Sequence, residues 1–279
     1  MLNKKLNEIE FIIFDLETTG LDPFSGDRII EIAAKKFKNL QKIDSFYSLI
    51  NPKRPISEGA YLVNQIPDAL LKDAPKSEEV MRNFSDFLKG SCLMGYNVNF
   101  DLGFLNNEFS FIKKSIPQDL PIVDVLKIAR GLLPELGRYS LLNVSQFLNI
   151  NNQQKHRAQE DVELTFNVFI MFLEILAEKG IFDFSNFLQL FGVNTKLHSF
   201  LSNIRLAQVQ EAIDSGLKLK IKYFSTSSAK VTEREITPKE VLSENNKYFL
   251  ECFCHLRNEK RSLRIDRILE LQMLQPKAK

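Results

Sequence analysis

The sequence predicts an α/β domain followed by a small all-β domain, and three observations carry that prediction. An apolar run from Ile9 to Phe14 reads as a buried strand that stops at Asp15 and Glu17. Beyond Pro52, short apolar strands alternate with segments of helical period, which implies a sheet whose later strands run parallel. Near residue 215 the hydrophobic period shifts from helical to alternating, and short strands then follow at close spacing.

The elements follow in order. Arg28 to Phe37 and Ile43 to Ile50 read as second and third strands, and their short connections predict antiparallel pairing with the first. Pro52, Pro55 and Pro67 interrupt regular structure. Ser57 opens a short helix to Gln65, and Ser77 opens a better one that Gly90 ends. Ser91 to Asn97 reads as a short strand running into a helix that carries Asp101 near its start. Asp124 and Ser140 each begin a helix, and Asp124 is read as structural. After a polar loop from Asn149 to Lys155, His156 to Asp161 leads into a long amphipathic helix through Glu178. A helical connector spans 180–204. The strands expected beyond it are 217–224, 231–236, 248–254, 262–265 and 268–274. The expected organisation is therefore 1–179, 180–204 and 205–279.

Composition narrows the class. The net charge is +2, so no global basic field exists. Residues 201–279 nevertheless carry 15 Lys and Arg against 10 Asp and Glu, so the basic part is the end of the chain. Three cysteines (Cys92, Cys252, Cys254) make neither a disulfide framework nor a zinc site. The first residues lack an apolar signal core, and Phe166 to Leu176 is too short and interrupted to span a bilayer. A cytoplasmic protein without membrane contact is expected.

The chemistry lies in the acids. Asp15 and Glu17 are one residue apart on an extended chain, so they project to the same side. Like charges at that range raise each other's pKa, and a divalent cation removes the conflict. Taken singly, Asp101 reads as a helix cap, Asp161 as a surface acid and His156 as a loop histidine. Taken in order, Asp15, Glu17, Asp101 and Asp161 read as an oxygen cage for two hard cations, Mg²⁺ or Mn²⁺, as phosphodiester displacement uses. His156, shortly before Asp161, reads as a general base.

Three motifs carry a resemblance: F-D-L-E-T-T-G (Phe14 to Gly20), G-Y-N-V-N-F-D-L-G-F-L (Gly95 to Leu105) and H-R-A-Q-E-D (His156 to Asp161). Residues 8–178 resemble the DnaQ-like 3′–5′ exonucleases of the DEDD superfamily, histidine subtype. The resemblance implies a ribonuclease-H-like mixed sheet flanked by helices. It also implies metal ligation by the four carboxylates, His156 as base, and substrate contacts from Thr18, Thr19 and Asn97. Two positions depart from the family pattern: Tyr96 precedes Asn97 where His is usual, and Asn64-Gln65-Ile66 lacks the common His-Gly. Both bear on substrate detail.

Residues 205–279 resemble the WYL domain, a small Sm/SH3-like barrel, through I-K-Y (Ile221 to Tyr223), I-T-P (Ile236 to Pro238), Lys247 to Arg257 and R-S-L-R-I-D-R-I (Arg261 to Ile268). Tyr248-Phe249-Leu250 stands in for the naming triplet. The resemblance implies contacts to nucleic acid or a small anionic ligand from Tyr223, Arg257, Arg261, Arg264 and Arg267. Arg261, Arg264 and Arg267 are spaced by three, which on a strand puts neighbours on opposite faces, so they do not all serve one pocket.

The function expected from these readings is metal-dependent removal of nucleoside 5′-monophosphates from a DNA 3′ end, single-stranded in preference, with a polymerase or repair partner. The alternatives are trimming of RNA 3′ ends and a non-catalytic regulator that grips nucleic acid.

Overall fold

The computed structural model describes residues 1–150, 156–193, 196–245 and 247–275. The polar loop expected over 149–155 lies, from residue 151 on, outside the described residues.

Strands β1 (Phe11–Thr18), β2 (Ile29–Lys38) and β3 (Gln41–Leu49) form an antiparallel meander. Three helices follow: α1 (Glu58–Asn64), α2 (Asp68–Leu71) and α3 (Ser77–Phe87). The Ser57 hydroxyl caps α1 by accepting from the Ala60 N–H. Strand β4 (Cys92–Gly95) then pairs parallel to β1 and leads into α4 (Asn99–Phe111). Strand β5 (Ile122–Asp124) pairs parallel to β4, and the Asp124 carboxylate caps α5 (Val125–Leu132). Helices α6 (Leu141–Phe147) and α7 (Ala158–Glu178) complete this part. The sheet order β3-β2-β1-β4-β5 puts β1 in the middle, antiparallel to one neighbour and parallel to the other.

Both faces of β1 are buried. Phe11 and Ile13 enter a core shared with α5 and α7, while Ile12, Phe14 and Leu16 enter a second core shared with α3 and α4. The first core is rich in aromatic edges: Phe11 meets Phe169 at 5.4 Å and Phe37 meets Phe166 at 4.8 Å between ring centroids. The phenylalanines are thus largely core.

The 180–204 stretch contains α8 (Phe184–Phe191) and the start of α9 (Lys196–Asp214). Phe184, Phe187 and Phe191 of α8 are buried in the first core. Helix α9 runs on past residue 204, and its Val209 and Ala212 enter the core of the β domain. The β domain has strands β6 (Lys218–Ser225), β7 (Lys230–Glu244), β8 (Lys247–Cys254), β9 (Glu259–Arg264) and β10 (Ile268–Leu274), all antiparallel in the order β10-β6-β7-β8-β9. Strand β7 extends well beyond the 231–236 expected from sequence. Pro238 sits where the register to β8 shifts, so its missing N–H does not break the ladder.

The β domain docks on α8. Phe224 of β6 enters the first core and meets Phe191 at 6.2 Å between centroids. Gln189 of α8 donates to the Ile265 carbonyl at 3.3 Å. Gly131 lets this junction close, because a Cβ there would lie 3.0 Å from the Phe191 ring. Among the described residues, no helix is long and apolar enough to cross a membrane.

Candidate active site

The alternation of β1 decides where its acids point. Asp15 and Glu17 continue the Phe11–Ile13 face, which is the face that α7 covers. Helix α7 crosses β1 and β2 with Asp161 in its first turn, and Asp161 is buried. One carboxylate oxygen from each of Asp15, Glu17 and Asp161 lies within 4.8 Å of the others. Asp101, in the first turn of α4, is buried beside Asp15 but stands outside that triangle.

The electrostatics match this crowding. Burial pushes the Asp15 carboxyl well above the ordinary carboxylate range, and Asp101, Glu17, Asp161 and Glu31 add to it in that order. Burial pushes Glu17 up to about 8, with Asp161, Glu31 and Asp101 adding and Arg157 opposing. Burial also pushes Asp101 up to about 8, against hydrogen bonds from backbone N–H groups at Asp101 and Leu16. Ionising these groups together requires a positive charge among them. An all-oxygen donor set of this kind suits a hard divalent cation, so the residues present fit one.

His156 precedes α7, is exposed, and has a left-handed backbone with φ 51°. It borders a depression of about 650 Å³ together with Arg157, Glu160 and the end of α1, Leu62 to Gln65. Asn64 holds that end near β1: its side chain donates to the Thr18 carbonyl at 3.4 Å and accepts from Ile66 N at 3.0 Å. The departing segment Asn64-Gln65-Ile66 therefore stands close to the acids.

The predicted substrate residues are differently employed. The Thr18 hydroxyl donates to the Gly20 carbonyl at 2.6 Å, and the Thr19 hydroxyl donates to Asp27 at 2.9 Å while accepting from Arg28 N at 3.1 Å. Both side chains are buried and serve the turn after β1. Asn97 is exposed, with φ 59°, and its N–H donates to Asp124 at 3.0 Å. Tyr96, in the usual histidine position, donates its hydroxyl to the Tyr139 carbonyl at 2.6 Å.

Sequence reasoning missed Glu31. It lies opposite Glu17 in the β1–β2 register and is buried. Its carboxylate accepts from Arg157 Nη2 at 2.5 Å and Nε at 3.1 Å, from Ala158 N at 3.0 Å and from the Tyr47 hydroxyl at 2.9 Å. Glu31 thereby ties the start of α7, with His156 and Asp161, to the sheet. The signal was a lone acid inside an apolar strand, Ile29-Ile30-Glu31-Ile32-Ala33.

Residues 12–169 match the family model described as Exonuclease, RNase_T. The chain belongs to the RNase_T exonuclease family. Residues 205–273 match the WYL domain. Over 174 residues the chain is 38% identical to a DNA polymerase III of PolC type from Caldanaerobacter subterraneus, covering 62% of this chain and 12% of that protein. The PolC-type polymerase of Bacillus subtilis is 36% identical over 179 residues, covering 64% and 12%. The chain thus spans about an eighth of the length of these relatives. Among solved structures, the zinc-bound form of the Escherichia coli ExoI–ssDNA complex superposes with a TM-score of 0.56 at 19% identity, over 88% of this chain and 54% of that one. At that identity the likeness concerns the fold alone.

The residues predicted for the WYL domain do not converge. Tyr223 is buried, accepts from Arg264 N at 3.3 Å and lies under Arg234. Arg257 is exposed, and Arg261 is exposed and paired with Glu259. Arg267 sits in the 3-10 turn between β9 and β10. Arg264 alone of the five faces the exonuclease domain, across a cavity between the two domains.

Proposed function

We propose that the chain is a metal-dependent 3′–5′ exonuclease that hydrolyses the terminal phosphodiester of a DNA strand and releases nucleoside 5′-monophosphates. The observation that carries this reading is the triangle of Asp15, Glu17 and Asp161 with Asp101 buried beside it. These four residues would hold two Mg²⁺ or Mn²⁺ ions. When bound, such ions supply an activated water and neutralise the charge that develops on the scissile phosphate.

The chain's own residues do the rest. Asp15 would hold the ions from the centre of the sheet, with Glu17 beside it on β1, Asp161 on α7 and Asp101 on α4. His156 accepts the proton of the attacking water from its exposed position before α7. Glu31 and Arg157 hold that end of α7 in register with β1. Thr18 and Thr19 act through the shape of their turn, and Asn97 borders the terminal nucleotide.

DNA is favoured over RNA because the similar curated proteins are DNA polymerases. The same likeness supports a polymerase or repair partner. The domain limits 1–179, 180–204 and 205–279 and a cytoplasmic location belong to the same proposal. Incubation of the protein with 5′-labelled single-stranded DNA and RNA, in Mg²⁺, Mn²⁺ or EDTA, tests it. Stepwise shortening of DNA with metal is expected. Shortening of RNA alone would reassign the substrate, and no shortening of either would leave a binding protein.

A further inference from the structure

The docking of the WYL domain on α8 leaves a cavity of about 860 Å³ between the two domains, within the range of small-ligand sites. Its walls come from both sides. The exonuclease domain contributes Lys127 and Arg130 of α5, with Asn99 of α4 and Asp124 at the end of β5. The WYL domain contributes Lys247 and Tyr248 of β8, with Arg264 and Asp266 around the 3-10 turn.

Four cations therefore face two carboxylates, of which Asp124 is engaged by backbone N–H groups and Asp266 by one of the four, Arg264. Asp124 accepts from Leu126 N at 2.9 Å and Asn97 N at 3.0 Å. Asp266 receives Arg264 through both oxygens, with Nε at 3.0 Å. Lys127 is half-buried and donates to the Gly192 carbonyl at 2.8 Å. An ammonium carries three donors and no acceptor, so this bond leaves two further donors on Lys127. Burial lowers the Lys127 pKa, and Arg264 and Lys247 across the cavity lower it further, against Asp266 and Asp124. His198, in the α9 wall, is held low by burial and by Lys127, and its Nε2 meets the Gln189 carbonyl at 3.2 Å. Like charges from two domains held around one cavity favour an anion between them.

The cavity wall shares elements with the active site. Asn99 lies in the same first turn as Asp101, and Asp124 holds the N–H of Asn97 in the loop that leads to it. The serine and asparagine side chains of the wall offer hydrogen bonds, and Tyr248 offers a phenol ring.

We propose that this inter-domain cavity is a nucleotide-phosphate site, in which Lys127 and Arg130 of the exonuclease domain and Lys247 and Arg264 of the WYL domain together hold the phosphate and Tyr248 meets the base. The phosphate has two sources, a free mononucleotide or an internal nucleotide of a single strand. The site does not depend on the exonuclease reading, because binding there needs neither metal nor cleavage.

The test is equilibrium binding to the full chain in EDTA. One arm uses a short fluorescent single-stranded DNA, the other deoxyadenosine 5′-monophosphate, with inorganic phosphate as competitor. The variants are Lys247→Gln, Arg264→Gln and Lys127→Met, each checked by thermal melting. Lys247 is exposed, so its variant keeps the test valid if the half-buried Lys127→Met does not fold. Binding weakened roughly tenfold or more by Lys247→Gln and Arg264→Gln is expected, as for loss of a charge-assisted contact. For the strand, each lost cation also lowers the slope of log K against log salt by about 0.7. Binding of the mononucleotide assigns the site to a free nucleotide, and binding of the strand alone assigns it to the path of the chain. No binding in either arm, or affinity unchanged in Lys247→Gln and Arg264→Gln, overturns the proposal. Failure of the exonuclease reading would appear separately, as absence of shortening with metal.

Discussion

Replacing Glu31 by alanine tests how the site is held together. The Glu31 carboxylate serves four donors on three residues, two on Arg157 and one on Ala158 at the start of α7 and one on Tyr47 of β3. Its removal leaves the buried Ala158 N–H without this acceptor, at a cost of about 1–3 kcal/mol. The Arg157 side chain keeps 36% exposure and recovers water, so losing its ion pair adds only about 1–2 kcal/mol, less than for a fully buried pair. The sum is about 2–5 kcal/mol, which for a domain of this size lowers the melting temperature by roughly 5–15 °C. The anchor of α7 goes with it, and a shift of about 1 Å in Asp161 or His156 costs on the order of a hundredfold in rate. Electrostatics act in the opposite direction, because Glu31 raises both Asp15 and Glu17, and its loss makes the cage easier to ionise. A fall in activity therefore reports lost positioning. Thermal melting and the rate of shortening of labelled DNA are the assays, with Glu163→Gln as control. Glu163 is itself exposed and pairs with Lys35, whose side chain keeps 12% exposure, and its loss is expected to lower stability less than that of Glu31, which serves four donors. Parental melting temperature and parental rate in Glu31→Ala would refute the reasoning.

Other outcomes follow from the same structure. Without metal, Glu17 is raised from an ordinary 4.5 to about 8, so the folded chain binds its proton more tightly than the unfolded chain does. That contribution to stability is full below pH 4.5 and is lost as the pH rises to about 8. Mg²⁺ should therefore raise the melting temperature more at about pH 8 than at about pH 5.5; equal increments would contradict the cage. Asp15→Asn should abolish shortening yet raise the melting temperature in EDTA at high pH by a few degrees, because it removes a crowded buried charge. Phe187→Ala, in the centre of the first core, should cost about 3–5 kcal/mol in urea unfolding.

The parts of this molecule that were legible in its sequence are those set by local pattern. The apolar run of β1 and the short connections after it gave an antiparallel meander, and the strand–helix alternation gave a parallel β4. The pairing of Asp15 and Glu17 on one face follows from strand period alone, and the structure puts Asp161 against them because α7 crosses that face. What was not legible depends on contacts distant in sequence. Glu31 looked like a strand residue because its partners are Arg157 and Ala158, far along the chain. The hydroxyls of Thr18 and Thr19 looked available until Gly20, Asp27 and Arg28 were seen to engage them. The arginines spaced by three indeed separate, but for two reasons. Arg261 is on β9, paired with Glu259, whereas Arg267 lies in a 3-10 turn that no strand pattern reveals. Strand β5 has three residues, too few to show a period beside the helix that follows. The span 180–204 read as a connector because Phe184, Phe187 and Phe191 find their core only when α8 packs on the sheet.

The central claim is that Asp15, Glu17, Asp101 and Asp161 hold the ions that cleave a 3′-terminal phosphodiester. Its most direct test is the first product released from a 3′-labelled single strand, followed over time in Mg²⁺, in EDTA and with Asp15→Asn. Immediate release of labelled nucleoside 5′-monophosphate is expected in Mg²⁺ and none in EDTA or with the variant. Release of a longer labelled fragment, or release that survives Asp15→Asn, would contradict it.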